Sequence, residues 1–273
     1  MNKKISALII LYIFLQFSPL AAQNNVNGKN YGKIFLSDAK HFFDVGVGLV
    51  TAPCSFSASD WYTTGGTIGG TALLFTADKN IQSFARNNQS SFNDALFSID
   101  KFYGSPYTAI LTGAIYGYGF FAENEDMRIL GLKTSEALIY STIITGVLKI
   151  SFGRKRPYAG NDNMFFKPFQ FSNDRYQSLP SGHTTAAFAV STVMANYTDK
   201  IYWKVFWYSA AGLVGAARIY HDKHWASDVF LGAAIGYFVG EFISDFNNGR
   251  TDVFGIKYSP LITLNSIGIN LKF

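Results

Sequence analysis

Arg218-Ile219-Tyr220-His221-Asp222-Lys223-His224-Trp225-Ala226-Ser227-Asp228 sets an arginine, two imidazoles and two carboxylates in one short run, and two stretches upstream of it complete the pattern. Lys149-Ile150-Ser151-Phe152-Gly153-Arg154-Lys155-Arg156-Pro157 closes an apolar segment, and Pro180-Ser181-Gly182-His183 opens the next one. The apolar segments that these runs punctuate predict an all-α fold, a helical bundle with a short β-hairpin at its C-terminal end. Helices are expected over roughly 44–58, 65–77, 104–122, 133–151, 182–197, 203–219 and 225–245. Beyond Asn248, Ile267, Ile269, Leu271 and Phe273 alternate with Gly268, Asn270 and Lys272, the period-two pattern of a strand. An earlier strand over 253–258 and a turn at Leu264-Asn265-Ser266 would complete the hairpin.

Each run has a chemistry. Lys149 and Arg156 lie two helical turns apart and face one side if the helix continues that far. Arginine grips phosphate oxygens in a fork and lysine adds a point charge; Arg154 and Lys155 between them read as contributing field rather than contacts. Ser181 is placed to cap a helix, Gly182 lets the backbone approach an anion, and the free amides of the first turn point at it with the helix dipole behind them. His183 then stands at the rim of that nest. His224 and Asp228, four residues apart, would stack on one helix face with the carboxylate accepting the Nδ1 proton, leaving Nε2 as a nucleophile. A bend over Tyr220–Lys223 is needed to bring Arg218 to the same centre, with His221 and Asp222 solvated in that bend. The acidic group Glu123, Glu125 and Asp126 reads as a solvated helix connection.

Three spaced runs in this order, K-x6-R-P, P-S-G-H and R-x5-H-x3-D, resemble the type 2 phosphatidic acid phosphatase and vanadium haloperoxidase superfamily over roughly residues 60–245. The resemblance implies that His224 attacks phosphorus, that Asp228 orients it, and that His183 protonates the leaving alcohol and then activates water. It further implies that Lys149, Arg156, Arg218, Ser181 and the Gly182 amide hold the phosphate. It calls for no metal and no cofactor. The third run departs from the family pattern at Ala217, where a serine usually precedes the arginine.

Composition places this chemistry near lipid. Of 273 residues 48% are apolar and 15% charged, below the roughly 25% of soluble domains, and the chain has 26 Phe and 16 Tyr. The mean hydropathy of +0.11 owes much to the first residues, so the rest is only mildly apolar. The net charge of +5 gathers around the histidines rather than along a stripe, which argues for an anionic substrate and against nucleic acid. Residues 1–22 read as a secretory signal peptide cleaved after Ala22, with Lys3 and Lys4 ahead of an apolar core. Residues 23–60 follow as an N-terminal segment, 61–248 as the phosphatase helical domain and 249–273 as the hairpin tail. Glycines at 65, 66, 69, 70, 212 and 215 suggest close helix packing of the kind favoured in membranes. Cys54 has no internal partner and reads as a small buried residue. The polar, aromatic stretch 158–178 is expected to overhang the site.

The expected function is that of a metal-independent phosphatase acting on a phosphomonoester or pyrophosphate, lipid-borne, at the periplasmic face through a phosphohistidine. Helix parity agrees, since alternating helices bring all three runs to one side; the distribution of Lys and Arg runs against the positive-inside tendency. A soluble periplasmic acid phosphatase of small phosphate esters is the alternative, and a vanadium-dependent haloperoxidase a further one. Localisation follows as inner membrane with a periplasm-facing site, or periplasm.

Overall fold

The computed structural model describes residues 31–198, 200–246, 252–253, 256–263 and 266–272. The signal-peptide reading therefore falls outside the described residues. Among those described there are eight α-helices: α1 Tyr31–Thr51, α2 Ala58–Asn87, α3 Ser91–Leu96, α4 Pro106–Phe121, α5 Glu125–Phe152, α6 Gly182–Asn196, α7 Ile201–Tyr220 and α8 Ala226–Asp245. Strands β1 Asp252–Val253, β2 Ile256–Thr263 and β3 Ser266–Lys272 form an antiparallel sheet in that order, with Lys257 opposite Lys272 and Thr263 opposite Ser266. The expected hairpin is thus present. Its first long strand runs to Thr263 instead of ending at 258.

Side-chain caps set the helix starts. Ser57 and Asp60 form a reciprocal capping box at the head of α2, Ser90 caps α3, Ser105 with Pro106 starts α4, and Asn124 accepts from the Met127 amide at the start of α5. Gly153, at φ +61, terminates α5 in the left-handed conformation. The expectation fails in the N-terminal third, where α1 and α2 replace the predicted 44–58 and 65–77. Capping at Ser57 and a short 3-10 turn at Ala52–Ser55 put the break there, and α2 runs on through its glycines.

The core centres on α6. Eleven of its 15 residues, Thr184, Thr185, Ala186, Ala187, Ala189, Val190, Ser191, Thr192, Val193, Met194 and Ala195, are buried, so the helix is enclosed by α5, α7 and α8. Such a helix must be built of small side chains if its neighbours are to close on it. Gly232, Gly236 and Gly240, one turn apart on α8, meet it directly: a Cβ on Gly236 would come within 2.4 Å of the Thr185 carbonyl oxygen. Gly119 and Gly131 do the same between α4 and α5. The glycines singled out from sequence mostly do not: Gly65, Gly66, Gly69 and Gly212 face open space, while Gly70 touches Phe230 and Gly215 touches Val229. Cys54 is exposed, in the turn after α1, and not buried as expected.

Polarity is distributed unusually. Thr71, Thr108, Thr112, Thr134, Thr145, Ser141 and Ser191 are buried, whereas Ile68, Leu73, Ile110, Ile143, Val147, Val205 and Phe230 are exposed on helix surfaces. Among the described residues, by length and composition, α8 alone is apolar enough to cross a membrane, and α1 with α2 passes as a pair bent by 96°. The charge-free stretch at 104–122 yields only the 16-residue α4, short of the ~20 residues a span needs.

Candidate active site

Four helix ends converge. The C-terminal ends of α5 and α7 supply Lys149 and Arg218, and the N-terminal ends of α6 and α8 supply His183 and Asp228. The Ser181 amide donates to the Asp228 carbonyl at 2.9 Å, and a Cβ on Gly182 would sit 3.6 Å from Lys149 Cε. The turn over 221–224 is the bend that the sequence requires, and it holds His224 in front of α8 with its amide donating to the Arg218 carbonyl at 3.2 Å. His224 is therefore in the turn and not stacked on the helix with Asp228, because α8 begins only at Ala226.

This changes what fixes the imidazole. His224 Nδ1 lies 2.8 Å from the Ser178 carbonyl oxygen and 3.6 Å from Asp228 Oδ2. A carbonyl only accepts, so Nδ1 carries the proton and Nε2 keeps its lone pair. Asp228, expected to take that proton, is occupied elsewhere. Its Oδ2 accepts from the Ser178 hydroxyl and from the Trp225 amide at 2.8 Å, capping α8, and its Oδ1 accepts from Arg154 at 2.6 Å. The carboxylate orients the histidine through Ser178, one link removed.

Arg154, read from sequence as a source of field, is a direct partner. It is fully buried and donates to Asp228, to Ser227 Oγ at 2.7 Å, to Asp78 Oδ2 at 2.7 Å and to the Asn163 carbonyl, with its guanidinium 4.1 Å from the centre of the Phe75 ring. Asp78, on α2, also accepts from the Ser227 amide and hydroxyl. No spacing in the sequence ties Asp78 to this group; only its place on α2 does. A buried arginine between two buried carboxylates, every donor satisfied, is a rigid brace.

The other cations are tethered but not saturated. Arg156 is buried, donating through Nε to the Asp174 carbonyl at 2.9 Å and through its fork to Asp174 Oδ1 at 2.6 Å. Lys149 donates to the Gln177 carbonyl. Arg218 pairs with Asp100 Oδ2 at 2.8 Å and keeps a buried Nε–H without a partner among the described residues, a donor suited to a phosphate oxygen. The stretch 158–178 thus reaches the site as expected, through Asp174, Gln177 and Ser178. His221 and Asp222 are not merely solvated: His221 meets Asp100 at 3.1 Å, and Asp222, at φ +55, accepts from Gln82 and Arg86.

Ser181 is fully buried, with its hydroxyl paired to Thr184 Oγ1 at 2.8 Å, and it makes no side-chain cap to α6. Glu123, Glu125 and Asp126 lie at the α4–α5 junction, where Glu125 pairs with Arg128. Among the described residues no group of three His, Cys, Asp or Glu side chains is arranged to hold a metal ion.

The electrostatics follow from burial and cation excess. Burial, then Lys149, Arg156, Arg218 and His183, hold the His224 imidazole well below its ordinary value, so it stays neutral at physiological pH. Burial and the nearby Arg218 bring His183 down to about 4. Burial and Arg156 bring Lys149 down to about 7. Each of the two imidazoles feels all three motif cations, which places the five groups in one electrostatic neighbourhood.

The PAP2 superfamily model matches residues 131–252, which contain all three runs. Among curated relatives, a lipid A 1-phosphatase of Porphyromonas gingivalis is 31% identical over 207 residues, covering 75% of this chain and 40% of that protein. A lipid A 1-phosphatase of Rhizobium etli is 30% identical over 109 residues, covering 39% of this chain and 46% of that protein. The chain spans less than half the length of these relatives. Of solved structures, Aquifex aeolicus LpxE is 26% identical with a TM-score of 0.48, covering 61% of this chain and 94% of that one. The PAP2 type phosphatidylglycerolphosphate phosphatase of Bacillus subtilis is 20% identical, also with a TM-score of 0.48, covering 75% and 94%.

Proposed function

We propose that the chain is a phosphoric ester hydrolase that removes phosphate from a lipid phosphomonoester or pyrophosphate through a phosphohistidine at His224. The observation that carries this is the state of His224: buried, neutral, with Nδ1–H held by the Ser178 carbonyl and Nε2 left unprotonated amid three cations. Nε2 attacks phosphorus, an N–P bond forms, and the P–O bond to the alcohol breaks as His183 passes a proton to the departing oxygen. His183 then takes a proton from water, the hydroxide attacks phosphorus, and the N–P electrons return to the imidazole. The cations neutralise the phosphate oxygens as charge grows in the transition state. An empty site keeps His183 neutral; the arriving phosphate anion supplies the charge that raises its affinity for the proton it must deliver.

The lipid reading is supported by the exposed apolar helix faces over a threonine-rich interior, since large exposed apolar surfaces mark membrane or partner contact. It is supported too by the names of the relatives, which make lipid A 1-phosphate the first substrate to try. A leader at residues 1–22 would set the site on the periplasmic face of the inner membrane. Phosphate release by wild type and His224→Ala from a panel of bilayer lipid phosphates and soluble esters, with chelator present, tests the reading. Release from lipid phosphates by wild type alone is expected; equal release by both proteins, or loss of activity with chelator, contradicts it.

A further inference from the structure

The connection from Tyr158 to Ser178 presents aromatic side chains to the outside while its backbone is locked down. Five main-chain bonds fix it to the end of α5 and the residues after it: Phe169 N to Ile150 O at 2.7 Å, Lys167 N to Gly153 O at 2.8 Å, Lys155 N to Phe165 O at 3.0 Å, Arg156 N to Arg175 O at 2.8 Å and Ser178 N to Arg154 O at 3.0 Å. Gly153 is required at this junction, since a Cβ there would fall 1.7 Å from the Lys167 carbonyl oxygen. The Asn163 side chain adds a bond to the Phe75 carbonyl on α2. Held so firmly, the segment nevertheless exposes Met164, Phe165, Phe169 and Phe171, the last two by 70% and 73%. Phe169 moreover has φ +60, a region that a bulky residue enters only against steric resistance. A strained backbone that turns phenylalanines outward is costly unless something covers them.

The surroundings indicate what does. Ile139, Ile143 and Val147 are exposed at successive turns of α5 and form an apolar stripe that leads to this segment. Cations sit among the rings: Lys155 Nζ is 5.5 Å from the Phe165 ring, Lys167 Nζ 5.6 Å from the Tyr176 ring, and Arg175 and Lys223 are exposed. Of the acids in this stretch, Asp174 is already paired with Arg156 and accepts from Tyr158, and the exposed Asp162 accepts from the Met164 amide. An apolar stripe ending in a band of aromatic and basic side chains fits a bilayer, with the stripe against hydrocarbon and the band at the headgroups. We propose that residues 164–171 form a docking surface for an anionic lipid bilayer, holding the phosphate pocket at headgroup level beside its substrate. The same loop carries Asp174, Gln177 and Ser178 into the pocket, so docking and phosphate recognition share one rigid piece. This inference rests on the lipid reading above for its effect on catalysis, though docking itself can be measured without it.

The experiment uses the full chain with Cys54→Ser and Phe171→Cys, labelled with an environment-sensitive fluorophore and reconstituted in phosphatidylcholine vesicles containing phosphatidylglycerol. Spin-labelled lipid is expected to quench the label, and aqueous iodide to leave it largely untouched. In parallel, the double variant Phe169→Ser, Phe171→Ser is expected to hydrolyse a bilayer-embedded lipid phosphate at least about fivefold more slowly, with p-nitrophenyl phosphate hydrolysis unchanged. Quenching by iodide and not by spin-labelled lipid overturns the proposal, as does a wild-type rate of the double variant on bilayer substrate. Protection from both quenchers that grows with protein density also overturns it, by showing a second copy on this surface. If wild type cleaves only the soluble ester while the label remains in lipid, the docking surface stands and the lipid-substrate reading falls.

Discussion

Two groups of buried charge share α5, one near each end, and they are built to opposite plans. Near its start, Asp38 on α1 receives Arg128 and the Tyr116 hydroxyl, His41 meets Glu136 at 2.8 Å, Lys40 meets Asp44 at 2.8 Å, and Lys133 donates to the Ser244 carbonyl. Near its close, Lys149, Arg156 and Arg218 gather around His183 and His224, with Asp100 and Asp174 as partial counterweights. The first group pairs acid with base, with Asp44 Oδ1 and Glu136 Oε2 left without a further partner among the described residues. In the second, Lys149, Arg156 and Arg218 outnumber Asp100 and Asp174, one guanidinium N–H stays unpaired among the described residues, and burial together with these cations suppresses protonation of both imidazoles. A group balanced within itself stabilises; a group left positive is ready for an anion.

The contrast breaks most visibly at the two histidines that matter. His224→Ala is expected to lower turnover by about 10⁴-fold or more with little change in thermal midpoint, as befits a nucleophile. His41→Ala is expected to leave turnover intact and cost about 1–3 kcal/mol of stability, because it strands the fully buried Glu136 carboxylate. Steady-state kinetics alongside thermal unfolding of both variants checks the pair, and the reverse assignment of losses defeats the comparison.

Arg154 tests whether the brace belongs with stability or with chemistry. Arg154→Met leaves Asp78 and Asp228 buried without a cation, which costs about 3–5 kcal/mol. Arg154→Lys keeps the charge but not the fork, so stability should recover in part while turnover stays low. Full recovery of turnover by lysine would show that the fork geometry around Asp228 does not position His224.

Burial, helped by the neighbouring Arg156, also sets the pH response. Lys149 in the empty site loses its proton near pH 7, so it is charged below that pH and neutral above it. Phosphate affinity should therefore fall as pH rises through 7, seen as a rising KM, and His224 should remain neutral on the acid side. Lys149→Arg keeps its charge at all these values and should flatten the alkaline limb. An unchanged limb would mean that another group titrates there.

The smallest effect is expected at Asp174. Its carboxylate occupies the Arg156 fork that is proposed to hold phosphate, and it is largely exposed. Asp174→Asn should lower KM by about two- to threefold, in keeping with the modest worth of exposed pairs, with kcat unchanged. A raised KM would make Asp174 part of the binding surface rather than its competitor.

Much of this site was legible before the fold was known. The three runs name Lys149, Arg156, His183, Arg218 and His224, and the alternation of helix direction brings their helix ends to one place. What the sequence hides is second-layer geometry. Arg154 sits within a basic run whose members look alike until one of them is fully buried, and Asp78 lies far upstream on α2, with no motif to mark it. Asp228 at four residues from His224 suggests a helical pair, but the helix starts between them, and the carboxylate is drawn to cap it. Close packing was legible in kind and misplaced in position: glycine-rich α2 faces open space at Gly65, Gly66 and Gly69, while Gly232, Gly236 and Gly240 carry the contact with α6. Spacing reveals which residues share a face, not which face is covered.

Hydrolysis as proposed passes through a covalent bond between His224 Nε2 and phosphorus. Rapid quench of the wild-type enzyme with a lipid substrate labelled in its phosphate, followed by peptide mapping under alkaline conditions, tests it most directly. Acid-labile, alkali-stable phosphate is expected on the peptide that carries His224, absent from His224→Ala and accumulating in His183→Ala supplied with a substrate whose leaving group needs no proton. Label on no residue, or on a residue other than His224, with turnover intact, would contradict it.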